Sequence, residues 1–282
     1  MKTLVIGSRG QLGRTVARRG GAIVGGDLPE LDICDEASVA RALDRDHPAL
    51  VINAAAYTAV DKAESERDRA FAANRDGAGI VANACAQRRI RLLHVSTDYV
   101  FDGTATQPYR EDDPLAPLGV YGESKAEGEQ VVHEAGGTVV RTSWLFAEGG
   151  PSFVHTMVRL ARERELLRVV ADQRGCPTYA GDLADALIEL GTRPKLAATY
   201  HYCNSGATTW HGFARAIVEA VRGAGPVACE RVEAITTADY PTPAKRPAYS
   251  VLDTTRIRSL GIEPPHWQLG LQRVIAHDFT ES

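Results

Sequence analysis

The chain has 282 residues, 44% of them hydrophobic and 24% charged, with a net charge of −4. A chain of this size and composition folds around a substantial core without covalent staples. Its weak negative charge and lack of a basic run argue against a dedicated nucleic-acid binder.

The five cysteines, Cys34, Cys85, Cys176, Cys203 and Cys229, are widely spaced and form no CxxC pair. That pattern excludes a disulfide framework or zinc site and fits a reducing compartment. No run of about 18 apolar residues exists to cross a membrane. The apolar start, Met1 to Gly7, is broken at once by Ser8 and Arg9 and is too brief for a signal core. The expected location is the cytoplasm.

In chain order, short apolar runs predict strands at Thr3–Ile6, Ala22–Val24, Leu50–Asn53, Arg91–Val95 and Thr138–Arg141. Between them, alanine- and charge-rich stretches predict helices at Leu12–Arg19, Glu36–Asp44, Glu66–Arg88 and Ser124–Glu134. Strands that alternate with helices, and are apolar throughout, predict a parallel sheet covered on both faces. Beyond residue 142 a helix is expected at Ser152–Glu165, a strand at Leu167–Val170 and a helix at Gly181–Leu190. Pro241, Pro243, Pro247, Pro264 and Pro265 then predict ordered loops.

The opening Gly7-Ser-Arg-Gly10-Gln11-Leu12-Gly13 stands between a strand and a helix. Glycines there permit a tight turn and close approach of backbone to a pyrophosphate, in the manner of a Rossmann-type dinucleotide site. Helix N–H groups supply the positive potential. Asp27, at the end of the second strand, suits a ribose 2′-hydroxyl, which favours NADH over NADPH. A 2′-phosphate would need Arg9 or another cation beside it. Asp32 and Ile33 lie where they would flank adenine. Both acids also suit loop turns or helix caps.

Tyr121 and Lys125 are spaced i, i+4, so on a helix they share a face. An ammonium beside a phenol is expected to lower its pKa and make it a proton donor or acceptor near neutrality. Upstream, an apolar strand ends in Ser96 and Thr97, hydroxyls placed to bind a carbonyl oxygen at the carboxyl edge of a parallel sheet. Ser and Thr in this setting also cap turns. Another strand ends in Asn53-Ala54-Ala55-Ala56-Tyr57, whose small residues admit a cofactor against the backbone. Together these are the parts of carbonyl reduction by a nicotinamide, NADH or NADPH. No cluster of His, Cys or carboxylates has metal-ligand spacing.

The sequence resembles the extended short-chain dehydrogenase/reductase family. The matching stretches are GSRGQLG at 7–13, NAAAYTAVDKAE at 53–64, STDYVFDG at 96–103 and PLGVYGESKAEGE at 117–129. They continue with RTSWLF at 141–146, DQRGCPT at 172–178, TTW at 208–210 and YPTPAKRP at 240–247.

The resemblance implies a doubly wound α/β domain at residues 1–142, joined by parts of 176–222, and a smaller substrate-binding part at 143–282. It implies reduction of a 4-keto group on a dTDP-linked deoxysugar. Thr97, Tyr121 and Lys125 match the catalytic set; Gly7, Gly10, Gln11 and Leu12 the phosphate loop; Ala54, Ala55 and Tyr57 the cofactor wall. Val60, Tyr99 and Trp144 match substrate contacts, and Arg246 a clamp on the diphosphate.

Some relatives are described as dimers bridged by Mg²⁺ on glutamates. Thr15 and Gly181 stand at two of those positions, so the implied state is a monomer or weak homodimer. A related nucleotide-sugar reductase, an epimerase, and a non-catalytic subunit like that of methionine adenosyltransferase share the fold. The TTW and YPTPAKRP stretches speak against an epimerase.

Overall fold

In the computed structural model, which describes residues 1–280, the apolar runs become strands β1 (Thr3–Ile6), β2 (Ile23–Gly26), β3 (Leu50–Asn53), β4 (Arg91–Thr97) and β5 (Thr138–Thr142). Helices α1 (Gln11–Ala17) and α2 (Glu36–Asp46) link the first three strands. Asp35 caps α2 by accepting from the Ala37 N–H. The expected helix at 66–88 is broken. Short helices α3 (Val60–Ala63) and α4 (Arg67–Phe71) precede a π-helical turn at Ala72–Gly77, which passes into α5 (Ala78–Gln87). After β4 comes a 3₁₀ turn, Asp98–Val100, and later the long α6 (Val120–Glu134).

The C-terminal half contains β6 (Leu145–Phe146), α7 (Phe153–Glu163), β7 (Leu166–Val170), β8 (Arg174–Gly175), β9 (Thr178–Tyr179) and α8 (Ala180–Thr192). Then come β10 (Thr199–His201), β11 (Thr208–Thr209), α9 (Trp210–Arg222), β12 (Arg231–Ile235), α10 (Thr255–Arg258) and α11 (Trp267–Asp278). The proline-rich tail therefore carries α11 as well as loops, and α9 and β10 were not anticipated.

Six parallel strands form the central sheet in the order β10-β5-β4-β3-β1-β2. Side chains alternate between its faces. Val5, Leu50, Ile52, Leu93 and Val140 pack with Leu183 and Leu187 of α8. Leu4, Ile6, Val51, Leu92 and Val139 pack on the opposite layer with Val39 and Val81. A separate core joins α7, α9 and α11 through Phe146, Val158, Phe213, Ile217, Trp267 and Leu271. No helix among the described residues is long and apolar enough to cross a membrane.

Candidate active site

The strand order reverses between β1 and β3, and the loops at their carboxyl ends open the cleft where such sheets take ligands. Gly7 leaves β1 with φ +82°, and a Cβ there would lie 2.6 Å from the Ala55 nitrogen. A Cβ at Gly13 would lie 2.0 Å from the Gly7 carbonyl oxygen. Only glycine lets this turn close against Ala54–Ala55 and α1. No side chain caps the first turn of α1. Gln11 donates to the Pro151 carbonyl at 2.6 Å, and its Oε1 is buried without a partner.

At the far end of this turn the Asp27 carboxylate accepts from the backbone N–H groups of Arg9 (2.7 Å) and Leu28 (2.8 Å). The Arg9 guanidinium folds over the same loop, bonding the Leu28 carbonyl and lying 3.3 Å from Glu30. Acid and cation thus stand together at the end of β2, at the rim of the cleft. Asp32 accepts from the Cys34 N–H at 2.9 Å, and Ile33 packs on Gly77, where a Cβ would be 2.9 Å from its Cγ1.

The helix carrying Tyr121 and Lys125 is pressed in by two glycines. A Cβ at Gly122 would fall 2.2 Å from the Tyr99 carbonyl, and one at Gly128 2.0 Å from the Asn74 carbonyl. Glu64 accepts from the Val120 N–H at 2.9 Å, a carboxylate at the positive end of α6. Asn74 comes from the π turn. Its amide accepts from the Tyr57 N–H (2.8 Å) and donates to the Tyr57 carbonyl (3.1 Å) and the Ser124 hydroxyl (3.0 Å). The bulged turn therefore ties the loop after β3 to the helix of the YxxxK motif.

Lys125 is buried. Its Nζ donates to the Val95 carbonyl at 2.8 Å and lies 3.1 Å from His94 Nε2. Burial pushes its pKa down to about 8. The Tyr121 hydroxyl meets Thr97, and its ring stands edge-on to Tyr99 at 5.5 Å. Burial pushes the Tyr121 phenol up to about 12, against the lowering influence of the neighbouring Thr97 hydroxyl. The sequence expectation of a lowered phenol is thus reversed, because removal from water outweighs its neighbours. The Thr97 hydroxyl donates to Asp98 Oδ1 at 3.0 Å and accepts from the Tyr99 N–H at 3.2 Å. Burial raises Asp98 to about 6. Ser96, expected to share the carbonyl site, turns its hydroxyl onto buried Glu129, which is paired with Arg141 at 2.7 Å.

Trp144 adopts φ +47° and stacks on Trp210, with ring centroids 3.6 Å apart. A Cβ at Gly175 would be 2.6 Å from the Trp144 indole, so glycine makes room for it. Arg246 lies against Asp61, the neighbour of Val60, and within electrostatic reach of Tyr99. It pairs with Asp61 through contacts of 3.0 and 2.8 Å and bonds the Ala244 carbonyl at 3.1 Å.

One cleft of about 790 Å³ gathers Gly7, Gly10, Gln11, Leu12, Asp27, Asp32, Ile33, Ala54, Ala55 and Tyr57 with Val60, Thr97, Tyr99, Tyr121, Lys125 and Trp144. Arg246 is not in its wall. Trp210, Ser143, Asp98 and Arg9 are, and the sequence reading gave none of them a site role beyond the 2′-phosphate option for Arg9. The TTW stretch held the signal for Trp210.

A long cleft that runs from a glycine turn to a hydroxyl, a phenol and a buried amine defines a nicotinamide-dependent carbonyl oxidoreductase. The sequence profile of the RmlD substrate binding domain family matches residues 1–279, and the chain belongs to that family. It is 44% identical over 290 residues to a dTDP-4-dehydrorhamnose reductase of Aggregatibacter actinomycetemcomitans, covering 98% of this chain and 99% of that one. It is 40% identical to the Escherichia coli dTDP-4-dehydrorhamnose reductase, covering 99% of each. A crystal structure of dTDP-4-dehydrorhamnose reductase from Bacillus anthracis in complex with NADP superposes with a TM-score of 0.92 at 37% identity, over 98% of this chain and 99% of that one. A Thermus thermophilus UDP-glucose 4-epimerase at 21% identity and TM-score 0.80 shares the fold alone.

Proposed function

We propose that the chain is an NAD(P)H-dependent dTDP-4-dehydrorhamnose reductase, which reduces the C4 keto group of dTDP-4-keto-6-deoxy-L-lyxo-hexose to give dTDP-L-rhamnose. The observation that carries the reading is the meeting of Thr97, Tyr121 and Lys125 at one end of the cleft that begins at Gly7. A dinucleotide fits this cleft, because Gly7, Gly10 and Gly13 leave no side chain over the turn and Ala54 and Ala55 keep the next strand end bare. Gly7, Gly10, Gln11 and Leu12 would hold its phosphates, Asp27 or Arg9 its ribose, and Asp32 with Ile33 its base.

When bound, the nicotinamide supplies a hydride to the carbonyl carbon. Tyr121 gives its proton to the oxygen. A phenol held near 12 keeps that proton until needed, and an alkoxide is a stronger base than a phenolate, so the transfer runs downhill. Thr97 fixes the oxygen position and Lys125 the cofactor ribose. Trp144 and Trp210 offer a flat apolar face to the sugar nucleotide, beside Val60 and Tyr99. Arg246 holds the 240–247 segment to Asp61, beside Val60, and remains in this reading the clamp on the diphosphate.

Residues 1–142 with α8 and β10 form the cofactor unit in this reading, and the rest the substrate unit. The protein works in the cytoplasm as a monomer or weak dimer. Thr15 bonds the Gln11 carbonyl on its own helix, and a Cβ at Gly181 would strike the Tyr179 ring, so neither position offers a bridging carboxylate.

The test is to supply the keto-sugar and follow absorbance of NADPH and NADH. Oxidation with dTDP-L-rhamnose as product is expected, and Tyr121→Phe is expected to cut turnover by roughly 10²–10⁴-fold while cofactor still binds. Retained turnover in that variant would sink the assignment. Bound cofactor without oxidation in the unaltered protein would point to another keto-sugar or to a regulatory chain.

A further inference from the structure

Beneath Lys125 lies a buried chain of polar groups whose proton directions can be counted. Asn53 ends β3 and His94 sits in mid β4; both are at most 1% exposed. Asn53 Oδ1 accepts from the Ala55 N–H at 3.1 Å, which fixes the amide orientation, since the reverse would set two donors face to face. Asn53 Nδ2 then faces His94 Nδ1 at 3.2 Å. An amide nitrogen only donates, so Nδ1 is the acceptor.

Burial first, and then the Lys125 and His133 charges, hold the His94 ring well below its ordinary pKa, so it is neutral. A neutral ring with its lone pair on Nδ1 carries its hydrogen on Nε2. That N–H points at Lys125 Nζ, 3.1 Å away. Facing an ammonium it would be one donor against another. Facing an amine it is a hydrogen bond to the nitrogen lone pair.

We propose that Asn53 and His94 are positioning residues that present a fixed N–H to Lys125 and stabilise its neutral amine, the form in which Lys125 is left once it has returned a proton to Tyr121. The inference rests on the reductase reading above. In balance, the Tyr121 O–H proton passes to the product alkoxide. The Lys125 ammonium then gives a proton to the Tyr121 phenolate, directly or over an intervening hydroxyl. The amine left behind accepts from His94 Nε2–H until solvent returns a proton to it. No electron moves in these steps.

The charges around Lys125 leave room for this exchange. Glu129, one turn along α6, is committed to Arg141 of β5 and to Ser96. Asp98 on the 3₁₀ turn faces Tyr121. Arg67 of α4 and Arg75 of the π turn pair outward with Glu123 and Glu127, Glu64 just after α3 holds the Val120 N–H, and His133 lies farther along α6.

The first test needs no substrate. In the full chain labelled with ¹⁵N-histidine, the His94 ring, assigned by its loss in His94→Gln, is expected to carry hydrogen on Nε2 between about pH 6 and 9. Hydrogen on Nδ1 would overturn the proposal. The second test is Asn53→Asp. A carboxylate still accepts from Ala55 but also accepts from the ring, which moves the ring hydrogen to Nδ1 and leaves Nε2 to accept from an ammonium.

The Lys125 pKa should then rise by about one unit or more, a tenfold effect. It is read from the lysine ¹³Cε resonance and from the alkaline limb of the kcat/KM profile. His94→Leu, which removes the N–H without adding a charge, should shift it the same way by less. An unchanged or lowered pKa in a folded variant would overturn the proposal. The expected ring tautomer and lysine titration in a protein that reduces no keto-sugar would support the buried chain and sink the reductase reading.

Discussion

Glu129→Gln tests whether a charge pair holds the catalytic helix to the sheet. The carboxylate and the Arg141 guanidinium are 1% and 4% exposed. Arg141 Nε lies 3.0 Å from each carboxylate oxygen and Nη2 lies 2.7 Å from one, and the Ser96 hydroxyl takes a further place. Glutamine keeps one acceptor, but its amide N–H₂ must face either the guanidinium or the serine hydroxyl. Breaking a buried pair from one side costs about 3–5 kcal/mol, because the other charge stays buried. The retained carbonyl places this variant near the lower figure, about 3 kcal/mol. At roughly 2–4 °C per kcal/mol, that lowers the melting midpoint by about 6–12 °C.

Circular dichroism during heating and urea titration would read it. Adding Arg141→Met to Glu129→Gln should recover part of the loss, since no charge then remains buried. A single variant within about 1 kcal/mol of the unaltered protein would refute the reasoning, and so would a double variant weaker than the sum of the two single changes.

Arg9→Ala should raise the KM for NADPH about tenfold and leave that for NADH within about twofold, since a guanidinium bonds a phosphate but is not needed for a hydroxyl; equal effects on both would argue against a role at the 2′ position. Gly7→Ala places a Cβ 2.6 Å from the Ala55 nitrogen at a φ of +82°. It should weaken NADPH binding at least about tenfold and destabilise the fold by about 1–3 kcal/mol, and unchanged binding by fluorescence titration would contradict the geometry of the turn.

Stability should fall in acid. Burial holds His94 well below its ordinary value and His201 down to about 3. The unfolded chain takes up both protons near pH 6.5 while the fold does not, so stability is full above that value and is lost as pH drops through it. At about pH 5 His201 removes roughly 2 kcal/mol, and His94 acts in the same direction. Asp98 and Glu111, raised by burial, return part of it in the same window. A urea midpoint at about pH 5 equal to or above that at about pH 7.5 would contradict this.

Much of the sheet was legible because its strands are apolar on both faces. Thr3–Ile6 and Leu50–Asn53 fall where the runs predicted them. The break at Ala72–Gly77 left no mark, since a π turn keeps helical composition and changes only its register. β10 is three residues long, Thr199–His201, and owes its place to pairing with β5 some sixty residues earlier. Helix α9 was readable in principle: Phe213, Ala214, Ile217, Val218 and Val221 recur on one face.

Within the site, spacing revealed Tyr121 with Lys125 and the glycine turn, because each is a local pattern. The pairing of Arg246 with Asp61 left no mark, because the two stand 185 residues apart. Ser96 was misjudged for the same reason: nothing beside it in sequence announces Glu129.

The return of α8 and β10 to the central sheet bears on how this protein can be divided. A fragment ending at Thr142 would leave β5 as a bare edge with unpaired backbone groups. It would also strip Leu183, Leu187 and Tyr200 from the layer over Val5, Leu50 and Val140. The amino-terminal half is thus no separable module, and during synthesis its sheet stays incomplete until the ribosome has passed residue 201. Any chimera that exchanges the carboxyl-terminal part must keep the segment from Ala180 to His201 with the central sheet.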